Sequence, residues 1–286
     1  MLLDIVWNVD PEFFSIGKLT VRWYGVLWAL GIWLSLVIQQ KIYKAEKLPE
    51  EWTDKLFMYI VGGTIIGARL GHCLFYEWHL LPEPAKFLGI TFNYYNPFLQ
   101  KPWEILYIWQ GGLASHGGAI GILTAAYLLN KKVFKKGFIW LLDRLIVSVA
   151  ICGACIRLGN LMNSEIYGNV TNLPWGFIFE QRGETLPKHP TQIYEMIYCL
   201  VTFALVWWMY WKKQAYKIDG LLFGVFLIGI FLSRFVLEFI KMDQETFESN
   251  MLFNMGQWLS IPFIAAGIYY LVRARRISKE MKILKK

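Results

Sequence analysis

The chain has 286 residues, of which 56% are hydrophobic and only 17% charged, against about a quarter charged in soluble globular domains. Its apolar residues come in blocks of about 20, the length a helix needs to cross a hydrocarbon core of roughly 30 Å. This excludes a soluble enzyme and points to a single polytopic membrane domain, 1–286. The net charge of +8 does not imply nucleic acid, because lysine and arginine collect in the cytoplasmic loops of membrane proteins.

The blocks predict an all-α integral membrane protein with seven transmembrane helices. In chain order they are Val21 to Ile38, Leu56 to Phe75, Leu113 to Leu129, Phe138 to Ile156, Ile193 to Trp211, Gly220 to Ile240 and Phe253 to Val272. Met1 is not followed by a basic stretch, and no Ala-x-Ala site follows the first block, so that block is expected to stay in the membrane. Between the spans, one set of connections is short and basic: Lys41, Lys44, Lys47 and Lys55, then Lys131, Lys132, Lys135 and Lys136, then Lys212, Lys213 and Lys217. With the basic tail from Arg273 to Lys286, this side holds 18 of the Lys and Arg residues, and the opposite side holds seven. Such a split places the N-terminus outside and the C-terminus in the cytoplasm. The outer-side loops are then the sizeable ones, 77–112, 157–192 and 241–252, with Trp103, Trp109 and Trp175 as interfacial anchors. Long loops rich in polar and aromatic residues are where a membrane enzyme houses a site.

The polar residues gather toward that outer side. Tyr24 lies at the mouth of the first span and Arg69 near the outer end of the second. His116 opens the third, between glycine pairs, and Arg157, Asn160, Asn163, Glu165 and Gly168 run out of the fourth. Arg234 and Glu238 stand one turn apart in the sixth, with Arg234 about 9 Å below the end of its span. Ionisable groups at that depth face a bundle interior or a wet cavity. Each has a plainer reading beside the functional one. Arg234 and Glu238 can neutralise each other, Arg157 and Asn160 can order a helix end, and Arg69 can satisfy loop carbonyls. The glycines near His116, with Gly63, Gly67 and Gly71 in the second span, form GxxxG patterns suited to close helix packing. His189 suits a helix start. Cys73, Cys152, Cys155 and Cys199 all lie in apolar blocks and read as packing residues, with the Cys152–Cys155 spacing lacking the βαβ setting of a redox pair.

No zinc spacing, phosphate-binding glycine loop, dinucleotide motif or nucleophile elbow is present, so neither metal nor cofactor is expected. Arginines clamp phosphate, and phosphate at the membrane surface of such a chain means a phospholipid headgroup. A histidine can take a proton from a nucleophile near neutral pH. A transporter or an inert scaffold are the rivals, but no repeat between halves is found and the polar set is displaced outward.

The run Gly112 to Gly121, containing Ser115-His116-Gly117-Gly118, resembles the histidine–glycine motif of the prolipoprotein diacylglyceryl transferases. Arg157-Leu158-Gly159-Asn160-Leu161-Met162-Asn163-Ser164-Glu165-Ile166-Tyr167-Gly168 is similar to that family's signature, with Ser164 where glycine is expected. Trp23-Tyr24-Gly25, His189 to Glu195 and Arg234 to Glu238 also match, in family order and across nearly the whole chain. The resemblance implies a transferase of the bacterial inner membrane with its site on the periplasmic side. It would pass the sn-1,2-diacylglyceryl group of phosphatidylglycerol to the lipobox cysteine thiol in the signal peptide of a preprolipoprotein, releasing glycerol 1-phosphate. By the same resemblance Arg157 and Arg234 would hold the phosphate and His116 would be the base. Tyr24, Asn160, Asn163, Glu165, Gly168 and Glu238 would shape the substrate site.

Overall fold

The computed structural model describes residues 5–17, 19–87, 90–107, 112, 114–242 and 252–283. Its strands are β1 (Ile5–Trp7), β2 (Glu12–Ile16), β3 (Leu19–Arg22), β4 (His79–Phe87), β5 (Ile90–Tyr95) and β6 (Phe177–Phe179). The helices are α1 (Trp23–Ala45), α2 (Glu51–Phe75), α3 (Pro97–Gln100), α4 (Ser115–Leu129), α5 (Phe138–Met162), α6 (Thr191–Lys213), α7 (Leu221–Leu237) and α8 (Met255–Ile283). Six helices among the described residues are long and apolar enough to cross a membrane: α1, α2, α5, α6, α7 with its following turn, and α8. The chain is therefore a multi-pass helical membrane protein. The block read as the third span is a shorter helix, the 15 residues of α4, continued by a π-helical turn over Asn130–Phe134.

The helices α1, α2, α5, α6 and α8 outrun their apolar blocks because hydropathy marks only the part suited to hydrocarbon, whereas α4 and α7 fall within theirs. The helix α5 runs six residues beyond its block, to Met162, and so holds Arg157 and Asn160 on one helical face. Likewise α8 continues from Val272 into the basic tail. The loops are more ordered than a purely α-helical reading allows. Three two-stranded sheets form, β1 parallel to β6, β2 antiparallel to β3 and β4 antiparallel to β5. Trp103 and Trp175 are exposed; Trp109 and residues 243–251 lie outside the described residues.

The chain forms two compact units. One comprises residues 43–141 and the other residues 1–42 and 142–286. In the first, α2 and α4 meet through glycines. A Cβ on Gly67 would stand 2.7 Å from the Gly121 Cα, and one on Gly71 would stand 2.7 Å from the Gly117 Cα. The helices touch so closely that the Ala114 amide donates to the Ala68 carbonyl at 2.9 Å. Close packing of the GxxxG kind is thus what these glycines provide. Arg69 is likewise structural. Its guanidinium donates to the carbonyls of Glu104, Ile105 and Gly112 at 2.8, 2.9 and 3.2 Å.

In the second unit α5 is the hub. Asp143, fully buried, accepts from the amides of Gly220 at 2.6 Å and Phe223 at 2.7 Å. It thereby caps α7, whose first residues offer no capping side chain of their own. Gln39 of α1 donates to the Arg144 carbonyl and the Ser148 hydroxyl at 2.8 and 2.9 Å. Cys152 and Cys155 pack on Gly31, and all four cysteines are free.

Candidate active site

The segment after α5 turns sharply. Asn163 and Ser164 still make helix-like backbone bonds, and then Ser164 and Ile166 adopt φ of +51° and +61°. A left-handed backbone costs a non-glycine residue roughly 1–2 kcal/mol, so outside bonds must hold it. Arg182 donates to the carbonyls of Ser164 and Asn163, both at 3.0 Å. Thr191 Oγ1 donates to the Ile166 carbonyl and Gln192 Nε2 to the Glu165 carbonyl, both at 2.7 Å. Beneath the turn lies an apolar cluster of Leu161, Phe177 and Phe179, with Trp7 and Tyr167 packed on it. The Trp7 indole donates to the Leu161 carbonyl at 3.1 Å.

This turn presents the polar residues of the signature. Asn160 donates to the Glu165 carboxylate at 2.8 Å and Asn163 donates to the same oxygen at 3.4 Å. Arg157 Nη1 donates to Asn160 Oδ1 at 3.5 Å. Tyr24 packs its ring on Gly159, where a Cβ would meet it at 2.9 Å, and lies within electrostatic reach of Arg157 and Glu165. Gly168 is a crossing point. Its amide donates to the His189 carbonyl, and the Asn169 amide donates to the Ile240 carbonyl, both at 2.9 Å. A Cβ on Gly168 would stand 2.5 Å from the Ile240 carbonyl oxygen and 2.8 Å from the His189 Cβ. Only glycine lets three strands of backbone converge there.

From Arg157 a chain of alternating charges runs to Arg234. Arg157 Nη1 lies 3.0 Å from Glu195 Oε2. The other Glu195 oxygen is 3.2 Å from Lys241 Nζ, which is also 3.2 Å from Glu238 Oε1. That Glu238 oxygen is 3.3 Å from Arg234 Nε. Asn254 donates to the other Glu238 oxygen at 3.2 Å. The middle of the chain is dry, with side-chain exposures of 0% for Glu195, 2% for Lys241 and 5% for Glu238. Its ends are wetter, at 20% for Arg157 and 31% for Arg234. Tyr198 of α6 lies within electrostatic reach of both arginines.

The arginines differ in how their donors are occupied. Arg69 and Arg182 direct theirs at backbone carbonyls. Arg234 makes its ion pair without an aligned hydrogen bond among the described residues, and Arg157 makes one long hydrogen bond besides its ion pair. A guanidinium has five N–H donors. Most of those on Arg157 and Arg234 are thus not engaged by protein, and this is the condition for gripping an oxyanion.

Of the residues expected at the site, Tyr24, Arg157, Asn160, Asn163, Glu165, Gly168, Arg234 and Glu238 all fall in one unit. His116 falls in the other, exposed on the first turn of α4. Glu195, named only as the end of a matching run, and Lys241 are participants to which the sequence reading gave no role. A signal existed for Glu195, since it is an acid within an apolar helix. Lys241 read as a loop charge, although it stands three residues after Glu238. His189 starts α6 through its backbone rather than its ring: its carbonyl accepts from Gly168 and Thr191, and its ring meets the Tyr194 hydroxyl at 3.3 Å. Burial holds the His189 imidazole below its ordinary pKa. Nearby, burial and a 2.7 Å bond to Glu184 push Tyr167 up to about 12.

A family model described as prolipoprotein diacylglyceryl transferase matches residues 11–273. The chain is similar to the phosphatidylglycerol–prolipoprotein diacylglyceryl transferase of Porphyromonas gingivalis, with 47% identity over 284 residues and 94% of each chain covered. The protein of that name from Tolumonas auensis is 45% identical over 264 residues, which cover 92% of this chain and 95% of the relative. The one from Bacteroides fragilis is 40% identical over 283 residues, with 95% of each covered. Matched along most of its length by model and relatives alike, this chain belongs to the prolipoprotein diacylglyceryl transferase family.

Proposed function

We propose that Arg157 and Arg234 together bind the phosphate of phosphatidylglycerol, and that His116 takes the proton of a lipobox cysteine thiol in a preprolipoprotein signal peptide. Family membership makes the chain a membrane-bound transferase of the diacylglyceryl group from phosphatidylglycerol to prolipoproteins, the first step of lipoprotein maturation. In the proposed step the sulfur forms a thioether with the diacylglyceryl carbon. The carbon–oxygen bond to phosphate breaks, and the electron pair leaves with glycerol 1-phosphate. The two guanidiniums stabilise the charge that grows on the departing phosphate. A thiol of ordinary pKa near 8.5 needs only modest help to become thiolate, which is a task within the range of a histidine.

The observation that carries this reading is the contrast in donor use. Two half-buried guanidiniums, joined through one charge chain, meet carboxylates and one long amide contact at 3.5 Å with donors to spare, while the neighbouring Arg182 is tied to two backbone carbonyls at 3.0 Å. Tyr24, Asn160, Asn163 and Glu165 form a polar wall beside Arg157 and in this reading orient the headgroup.

The same reading includes a topology. At 1.5 Å per residue, α4 and its π-helical turn together extend about 30 Å, enough to cross as a seventh span. With the basic connections in the cytoplasm, the turn after α5 and the mouth of α1 face the periplasm across the inner membrane.

The test is turnover of labelled phosphatidylglycerol with a lipobox peptide by purified protein. Arg157→Ala and Arg234→Ala should each lower transfer by about 10²–10³-fold, the cost of losing one donor group at a developing anion, with the protein still inserted. Full activity in both folded variants would sink the clamp.

A further inference from the structure

Lys241 is the least exchangeable cation in the charge chain. It is buried, with 2% side-chain exposure, and donates to Glu195 and to Glu238, each at 3.2 Å. Its backbone is locked at the Gly168 crossing point, where residues 168 and 241 form an antiparallel bridge. The arginines at either end are partly exposed and hold their carboxylates by poorly aligned contacts. A lipid phosphate can therefore compete for Arg157 and Arg234, and not for Lys241.

Charge accounting says what the lysine does. Arg157, Arg234 and Lys241 carry three positive charges, and Glu195 and Glu238 two negative ones. The chain is left one positive charge in excess, which favours an anion at its ends, while the Glu165 carboxylate beside Arg157 is held by Asn160 and Asn163 rather than by the chain. Without Lys241 the remaining four groups sum to zero. Each carboxylate then faces one arginine alone and can close on it as a bidentate pair, the geometry that arginine and carboxylate favour. Guanidinium donors would be withdrawn from the lipid and the attraction for an anion lost.

Resting on the clamp reading above, we propose that Lys241 is a positioning residue for diacylglyceryl transfer. It occupies Glu195 and Glu238 so that Arg157 and Arg234 remain available to the lipid phosphate. It touches neither lipid nor thiol. Glu195 and Glu238 hold the arginines in place, and Lys241 prevents them from holding too tightly.

The experiment compares wild type, K241M, K241R and the compensated variant K241M/E195Q, purified in detergent and assayed with phosphatidylglycerol and a lipobox peptide. Thermal unfolding is followed in parallel. K241M should lose about 10²-fold in kcat/KM, the scale of a misplaced catalytic group, with KM for phosphatidylglycerol raised. K241M/E195Q restores the single excess positive charge and should recover about tenfold of that loss, though it lacks one more buried partner. K241R, which keeps the charge, should stay closer to wild type than K241M. A purely structural lysine predicts a different order, in which activity simply follows thermal stability across the variants. That order, or a folded K241M within about twofold of wild type, overturns the proposal. Should K241M fail to fold, the comparison of K241M/E195Q with E195Q decides. A folded double variant at least as active as E195Q supports the proposal, and one inactive beside an active E195Q overturns it. No turnover in wild type would instead sink the clamp reading, so the two failures are separable.

Discussion

Single residues carry opposite kinds of information in the signature turn. Ser164 stands where the family resemblance led us to expect glycine, and its φ of +51° supplies the physical reason for that expectation. Its hydroxyl is buried without a hydrogen-bond partner among the described residues, a second cost. Ser164→Gly should raise stability by about 0.5–1 kcal/mol, the left-handed relief exceeding the extra freedom that glycine brings to the unfolded chain. An apparent melting temperature in detergent that falls would contradict this. Gly168 was legible as a site residue only through the resemblance. Its actual part is to let the 168, 189 and 240 backbones meet, and nothing about one glycine in a sequence announces which distant strands it admits. Arg157 and Arg234 were legible as unusual because charge is costly in an apolar helix. Which arginines serve the fold was not legible, since that depends on whether loop carbonyls fold back onto them. They do for Arg69.

At the scale of elements, the apolar blocks located the helices well and their ends poorly. A block ends where the hydrocarbon would, whereas a helix continues while its backbone bonds pay no penalty. That is why α5 reaches Met162 and brings Arg157 and Asn160 onto one face. The strands escaped notice for a different reason. The pairing of β1 with β6 joins residues about 170 positions apart, and a three-residue strand has too little periodicity to be read locally. The cap of α7 is non-local too, supplied by Asp143 from α5. Asp143→Ala should leave two amides at that helix start unsatisfied and cost about 2–4 kcal/mol, one to two for each lost bond to a charged acceptor. The expected result is a protein that inserts but melts at a lower temperature, with hydrogen exchange at Leu221–Phe226 accelerated. Unchanged exchange there would show that the carboxylate is dispensable as a cap.

For the whole molecule, the sidedness of its loops is an expectation from charge alone, resting on a basic bias that recurs at connection after connection. The structure offers a way to check it. All four cysteines are free and sit within helices, Cys73 and Cys199 buried and Cys152 and Cys155 partly so, and a variant lacking them should keep its transfer activity. On that background, single cysteines at Lys132 and Lys213 should resist a membrane-impermeant maleimide in intact spheroplasts, and one at Trp175 should react. Labelling of the first two and not the third would invert the topology and move the proposed site to the cytoplasmic face. What the charges could not reveal is that the chain resolves into two compact units, with His116 in one and both Arg157 and Arg234 in the other.

The parallel ribbon made by the first strand and the one at Phe177–Phe179 sets a schedule for biogenesis. Ribosomes add about 5–20 residues each second, so Ile5–Trp7 waits on the order of ten seconds before its partner has been synthesised. Until then the Trp7 indole has no Leu161 carbonyl to reach, and the turn bearing Asn163 and Glu165 lacks its apolar floor. Lys241 emerges later still. The nascent protein therefore threads its early spans into the bilayer as an inert precursor, and catalytic competence arrives as one of the last events of its synthesis.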